Sequence, residues 1–103
     1  MSHYSKGRQF EYRCIKELRG QGWTCFRQAG SHTPADIIAM KAGEIRLVQC
    51  QTDPYFAPAK KQALIELARE NNCQAWLAYR ENRKVVWEQI KKNKQEEIDW
   101  GVT

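Results

Sequence analysis

The chain has 103 residues, a formal net charge of +5 and a pI near 9.2. That length fits one small domain, which buries roughly 60–70% of its unfolded surface, and leaves no room within these residues for a second catalytic domain. With 42% hydrophobic and 28% charged residues, the composition is ordinary for a globular chain, and no apolar run approaches the roughly 20 residues needed to cross a bilayer. The opening Met-Ser-His-Tyr-Ser-Lys-Gly-Arg has no apolar segment behind its charges, so a cytoplasmic location without a secretory signal is expected. Cys14, Cys25, Cys50 and Cys73 are widely spaced and form no Cys-x-x-Cys pair. They are expected to be reduced and buried, which disfavours a zinc site or a disulfide framework. The basic excess favours a polyanionic partner.

In chain order, Phe10, Cys14, Ile15 and Leu18 recur at helical spacing, and Gly20 and Gly22 follow as a stop. The spacing predicts a helix over 5–19. Residues 23–27 alternate and are rich in aromatics, which predicts a strand, followed by a loop at Gly30-Ser31. Asp36 opens a second, apolar strand, Gly43 marks a tight turn, and a third strand ends in Gln49, Cys50 and Gln51. Pro54 and Pro58 break the chain; Pro58 suits a first helical turn, and Ala63, Leu64, Leu67 and Ala68 carry an apolar stripe up to Asn71-Asn72. Residues 75–79 and 84–90, separated by Arg-Glu-Asn-Arg, read as two further strands. The expectation is an α/β domain over 1–90 in the order α-β-β-β-α-β-β. The charged tail at 91–103 is expected to be frayed or partner-bound.

Strand alternation puts Ile45, Leu47, Gln49 and Gln51 on one face of the third strand. An apolar face that ends in two amides is expected to open into a wet site, because burying such groups without partners costs about 1–3 kcal/mol each. Glu11 shares a helical face with Ile15 and Leu18, so a carboxylate stands on the stripe that meets the sheet. Two readings follow. Glu11 at the stripe's edge pairs with Arg8 or Arg13, or it leans toward Asp36. In the second case a hard cation such as Mg²⁺ would hold two carboxylates that otherwise repel, with the Gln49 side-chain carbonyl, the Cys50 backbone carbonyl and waters completing its shell.

The order Lys6-Gly7, Glu11, Gly30-Ser31, Asp36 and Gln49-Cys50-Gln51 resembles the archaeal-type Holliday junction resolvases and related phage enzymes of the PD-(D/E)-x-K nuclease superfamily. The resemblance covers roughly residues 6–90. It implies a restriction-endonuclease-like core, a central mixed β-sheet flanked by helices, and hydrolysis of DNA phosphodiesters with Mg²⁺ or Mn²⁺. By position Glu11 matches the family's helix glutamate, Ser31 the loop serine near the scissile phosphate, Asp36 the metal-binding aspartate, Gln49 the second acid and Gln51 the lysine. Pro34-Ala35-Asp36 fits the Pro-x-Asp half of the superfamily's name.

Two positions depart from that pattern. Gln at the second acid is a known variant in methyl-directed restriction enzymes that read Gln-x-Lys, so Gln49 weakens a metal site without excluding it. Gln51 removes a charge. A neutral amide holds a water by hydrogen bonding but offsets no negative charge in the transition state, and losing such a group costs on the order of 10²–10³ in rate. Three accounts stay open: the lysine has migrated to Lys60 or Lys61, the chain binds branched DNA without cutting it, or a single codon change has silenced an active enzyme.

Lys6, Arg8, Arg13, Arg27, His32, Lys60 and Lys61 are the candidate DNA contacts. They would give salt-dependent, shape-selective binding without base readout. A near two-fold junction cut on two strands suggests a homodimer, for which Trp76, Tyr79, Val86 and Trp87 are apolar candidates. A third reading makes the chain an oligomeric scaffold, with the Asp36 cluster a satisfied polar network.

Overall fold

The computed structural model describes residues 3–28 and 33–91, with side chains from Gly7 onward. Its elements run α1 (His3–Gly20), β1 (Thr24–Arg27), β2 (Ile37–Lys41), β3 (Glu44–Cys50), α2 (Pro58–Glu70), β4 (Gln74–Glu81) and β5 (Lys84–Ile90). This is the order expected from the sequence. The five strands lie side by side in chain order, and every neighbouring pair is antiparallel except β3 and β4. α2 makes the crossover that a parallel pair requires.

Backbone chemistry fixes where each element ends. α1 closes with Gly22 at a φ of 94°, with the Gly22 amide donating to Arg19 and the Trp23 amide to Leu18. α2 closes the same way, with Asn72 at a φ of 54° and bonds from Asn72 to Arg69 and from Cys73 to Ala68. Both are Schellman ends, in which a left-handed residue lets the last carbonyls find donors. The β2–β3 hairpin turns through Ala42 and Gly43 and the β4–β5 hairpin through Asn82 and Arg83, all four at positive φ. That geometry matches the strands' twist in a two-residue turn. Arg13, reaching from α1, donates to the carbonyl of Arg83 and ties the far hairpin to the helix.

The sheet is covered on both faces. Phe10, Cys14, Ile15 and Leu18 of α1 pack on Cys25, Ile37, Ala39, Val48, Cys50 and Ala78. Leu64 and Ala68 of α2 pack on Leu47, Ala75 and Leu77. The strict alternation of β3 is thus real, but its two faces serve two cores: Val48 and Cys50 lie under α1 while Ile45 and Leu47 lie under α2. All four cysteines are free; three are buried and Cys73 is half-buried.

Below the α1 core, the Arg46 guanidinium lies 4.2 Å from the Trp23 ring centre and 4.1 Å from that of Trp76. Trp76, Tyr79, Val86 and Trp87 are half-buried. Trp76 and Trp87 pack against the α1-side core and Tyr79 against the α2 side, and the Trp87 indole donates to Glu17 at 3.1 Å. No helix among the described residues is long and apolar enough to cross a membrane.

Candidate active site

Asp36 stands where β2 and β3 begin to part. Its amide donates to Val48 and its carbonyl accepts from Gln28, so its backbone is held from both neighbouring strands. Two residues beyond Val48, the last position of β3 paired with β2, the Cys50 amide has no ladder partner on β2 and donates instead to the Asp36 carboxylate at 2.9 Å. The acid therefore caps a strand end, satisfying a donor that would otherwise be orphaned. Burial pushes the Asp36 carboxyl above the ordinary carboxylate value, and Glu11 adds to the rise. The Cys50 amide, Arg27 and Lys60 pull it back.

Glu11 from α1, Arg27 from the end of β1 and Lys60 from the first turn of α2 all act electrostatically on Asp36. Of the two readings of Glu11, the structure gives a mixture. It forms an ion pair with Arg27, whose Nε donates to Oε1 at 2.8 Å, and its charge is still felt at Asp36. The helical stripe packs against β1, which brings Glu11 to the residue at the end of that strand. Arg27 also lies over the Tyr12 ring at 5.3 Å.

The two amides separate. Gln49 is half-buried beside the Asp36 strand end, in the register position opposite Asp36 that follows from the pairing of Ile37 with Val48. Gln51 lines a cleft with Glu11 and Cys50, but its amide is turned to its own loop. Its amide nitrogen donates to the carbonyls of Asp53, at 2.9 Å, and Tyr55, while the Tyr55 amide donates to Asp53 Oδ1. A glutamine at this point closes its own loop, because a flexible amide next to two free carbonyls finds donors' work nearer than the cluster. The Cys50 thiol is pushed far up by a hydrogen bond with Cys14 and by burial, so only its backbone carbonyl is available as a ligand.

Of the remaining candidates, Lys60 and Lys61 are exposed in the first turn of α2. That turn holds no acidic residue, and its N-cap Ala57 makes no side-chain cap. Arg8 and Arg13 are exposed on α1, with Arg13 engaged at Arg83. Lys6 lies within α1, but its side chain is outside the described residues, as are Ser31, His32 and the tail from 92 onward. Sequence reasoning missed Arg80, which lines a cleft with Glu11, Cys50 and Gln51. The signal was available: ligands gather at the C-terminal ends of parallel strands, and Arg80 sits near that end of β4.

A five-stranded mixed sheet between two helices, with an acid at the opening of its second strand, is the restriction-endonuclease-like α/β fold. The family model of the archaeal Holliday junction resolvases (Hjc) matches residues 2–102, and the chain belongs to that family. Among solved structures it is similar to the Holliday junction resolvase of the hyperthermophile Archaeoglobus fulgidus, with 21% identity and a TM-score of 0.73 over 85% of this chain and 83% of that one. No curated protein matches the sequence.

Proposed function

We propose that the chain is a divalent-metal-dependent, structure-selective endonuclease that resolves four-way DNA junctions. The observation that carries this reading is the Asp36 carboxylate, fixed by the Cys50 amide at 2.9 Å within a chain of the junction-resolvase family. Asp36, Glu11, the Gln49 carbonyl and the Cys50 backbone carbonyl form a hard, all-oxygen donor set, which suits Mg²⁺ or Mn²⁺ and not a soft metal. Burial and the neighbouring Glu11 both disfavour a bare Asp36 carboxylate, a cost that a cation would relieve. Among the described residues no three His, Cys, Asp or Glu side chains gather, so the amide, the backbone carbonyl and waters would carry the rest of the shell. When bound, such an ion would lower the pKa of a water and offset phosphate charge.

The chain's own groups divide the remaining work. Asp36, locked to β3, is the ligand that cannot swing away. Arg27 orients Glu11 through their 2.8 Å bond, holding the carboxylate that would serve as a cation's second acidic ligand. Lys60 supplies positive charge that reaches Asp36 in place of the lysine that Gln51 replaces. Its position argues for use: two lysines in an uncapped first turn oppose the helix dipole, and local rules are broken this way at functional sites. Ser31 would face the scissile phosphate, and Lys6, Arg8, Arg13, His32 and Lys61 would follow the backbone of branched DNA. A homodimer working in the cytoplasm would present two such sites to a two-fold substrate.

Gln51 favours a second reading, a non-cleaving homologue that binds branched DNA, since its amide is committed to the Asp53 and Tyr55 carbonyls. Cleavage of a labelled four-way junction with Mg²⁺ or Mn²⁺ decides between them. Cutting by this chain that is lost in Asp36→Ala supports the nuclease. Tight junction binding with no cutting by this chain or by Gln51→Lys supports the silent binder.

A further inference from the structure

Beside the Asp36 cluster, a cleft of about 330 Å³ opens between the start of α1 and the C-terminal ends of β3 and β4, lined in part by Gly7, Glu11, Cys50, Thr52 and Arg80. It shares Glu11 and Cys50 with the candidate active site, so the two are walls of one surface. The strand register explains how Arg80 arrives there. Cys50 is level with Ala78 in the parallel pair, and both belong to the core under α1. Two residues further along β4, alternation returns Arg80 to that same side, and Thr52, just past the end of β3, lines the cleft with it.

Arg80 is exposed, and among the described residues no carboxylate lies within ion-pair distance of it. The nearest acid lining the cleft, Glu11, is already paired with Arg27. Among the described residues, the Arg80 guanidinium in the cleft thus has no carboxylate partner. Opposite it, Gly7 offers no side chain, and a Cβ built there would meet nothing within 4 Å, so the space stays open. A planar guanidinium with forked donors, a hydroxyl and open room suit a tetrahedral oxyanion better than a carboxylate side chain or an apolar group.

We infer that this cleft is a phosphate subsite, in which Arg80 and Thr52 hold a backbone phosphodiester of the DNA next to the one presented to Asp36. The assignment rests on the junction-nuclease reading. It places a second fixed contact on the strand that enters the active site, and it sets register rather than supplying charge to the reacting atoms. Arg80 is therefore a positioning residue, and its loss falls on binding and KM more than on kcat.

The test is junction binding over a series of salt concentrations, with Ca²⁺ in place of Mg²⁺, followed by cleavage kinetics with Mg²⁺. The chains compared are the parent, Arg80→Ala, Arg80→Lys, Thr52→Ala and Lys84→Ala, the last removing one equal charge from an exposed position of β5 that does not line the cleft. Arg80→Ala is expected to weaken binding about ten- to hundredfold and to flatten the salt slope by about 0.9, the value for one phosphate. Arg80→Lys keeps most of the slope, Thr52→Ala weakens binding without changing it, and Lys84→Ala behaves as the parent. Binding by Arg80→Ala with the parent's affinity and slope overturns the subsite while leaving the nuclease reading intact. An equal loss in Lys84→Ala overturns it too, because the effect would then be net charge alone. Failure of the parent to bind any junction removes the nuclease reading and the subsite with it.

Discussion

The carboxylate of Asp36 and the backbone amide of Cys50 are joined at 2.9 Å, across the point where β2 and β3 cease to pair. One bond here has two roles. It closes the ladder by satisfying a strand-end donor, and it holds the principal acid of the candidate site in a single orientation. The site's geometry is therefore as rigid as the sheet itself, and mutations at Asp36 should register in both stability and activity.

The pH dependence follows from the same residue. Burial raises the Asp36 carboxyl above its ordinary value, so between that value and the raised one the folded chain binds more protons than the unfolded chain. Stability then falls as pH rises through this window and is lowest when Asp36 is ionised. Asp36→Asn keeps an acceptor for the Cys50 amide and removes the ionisation. We expect it to melt higher than the parent at neutral pH, with the gap shrinking as pH falls, and to lose cleavage by about 10²-fold or more. Thermal melts at pH 4 to 7, with and without Mg²⁺, check it. Added Mg²⁺ should raise the melting temperature of the parent and leave the variant unchanged.

Gln51→Lys exchanges a loop staple for a charge. The amide's bonds to Asp53 and Tyr55 are exposed, so losing them should cost about 1 kcal/mol in a denaturant midpoint. The gain should appear in the cleavage rate, by on the order of 10²-fold, because a preorganised cation is restored beside the phosphate. A variant that is less stable and faster matches this expectation. One that is less stable and no faster than a parent that itself cuts shows that Lys60 already supplies the charge.

The residues themselves show how far the sequence could be read. Element order was legible because each helix and strand carries its own period, and because Gly22, Gly43 and Pro58 mark the breaks. Asp36 stood out because an acid opening an apolar strand needs a partner, which the Cys50 amide supplies. The partners of Glu11 and Gln51 were not legible. Whether a glutamate reaches Arg27 or Arg8 depends on how the helix sits over β1, and whether an amide faces a site or its own loop depends on the path of 51–57. Both are settled by packing between distant segments, which local periodicity does not encode. Arg80 was hidden for the same reason, since only the parallel register of β3 with β4 carries it to the cleft.

Lys60 tests the migrated charge. It lies in the uncapped first turn of α2 and lowers the Asp36 carboxyl from a distance. Lys60→Ala removes a cation from the positive end of a helix, so the fold should gain a few tenths to about 1 kcal/mol. Cleavage by the parent, where present, should drop by about 10²-fold, and Lys61→Ala should lose less, since Lys61 has no such influence on Asp36. Equal losses in the two variants would mark both as ordinary phosphate contacts.

Arg46 gives a prediction that is purely structural. Its guanidinium is sandwiched at 4.2 Å from Trp23 and 4.1 Å from Trp76, yet its buried Nε has no hydrogen-bond partner. Each desolvated cation–π contact is worth up to about 2 kcal/mol, while an unsatisfied buried donor costs about 1–3 kcal/mol, so the net electrostatic gain of the sandwich is small. Its value lies in the packing of the side chain between two rings. Arg46→Met keeps that filling and removes the orphaned donor, and we expect it to change stability by less than about 1 kcal/mol. Arg46→Ala empties the space between the rings and should cost about 2–4 kcal/mol. Urea unfolding followed by tryptophan fluorescence separates the two, because it reads stability and the environment of Trp23 and Trp76 together. If both variants lose equally, the cation and not the packing holds the pair.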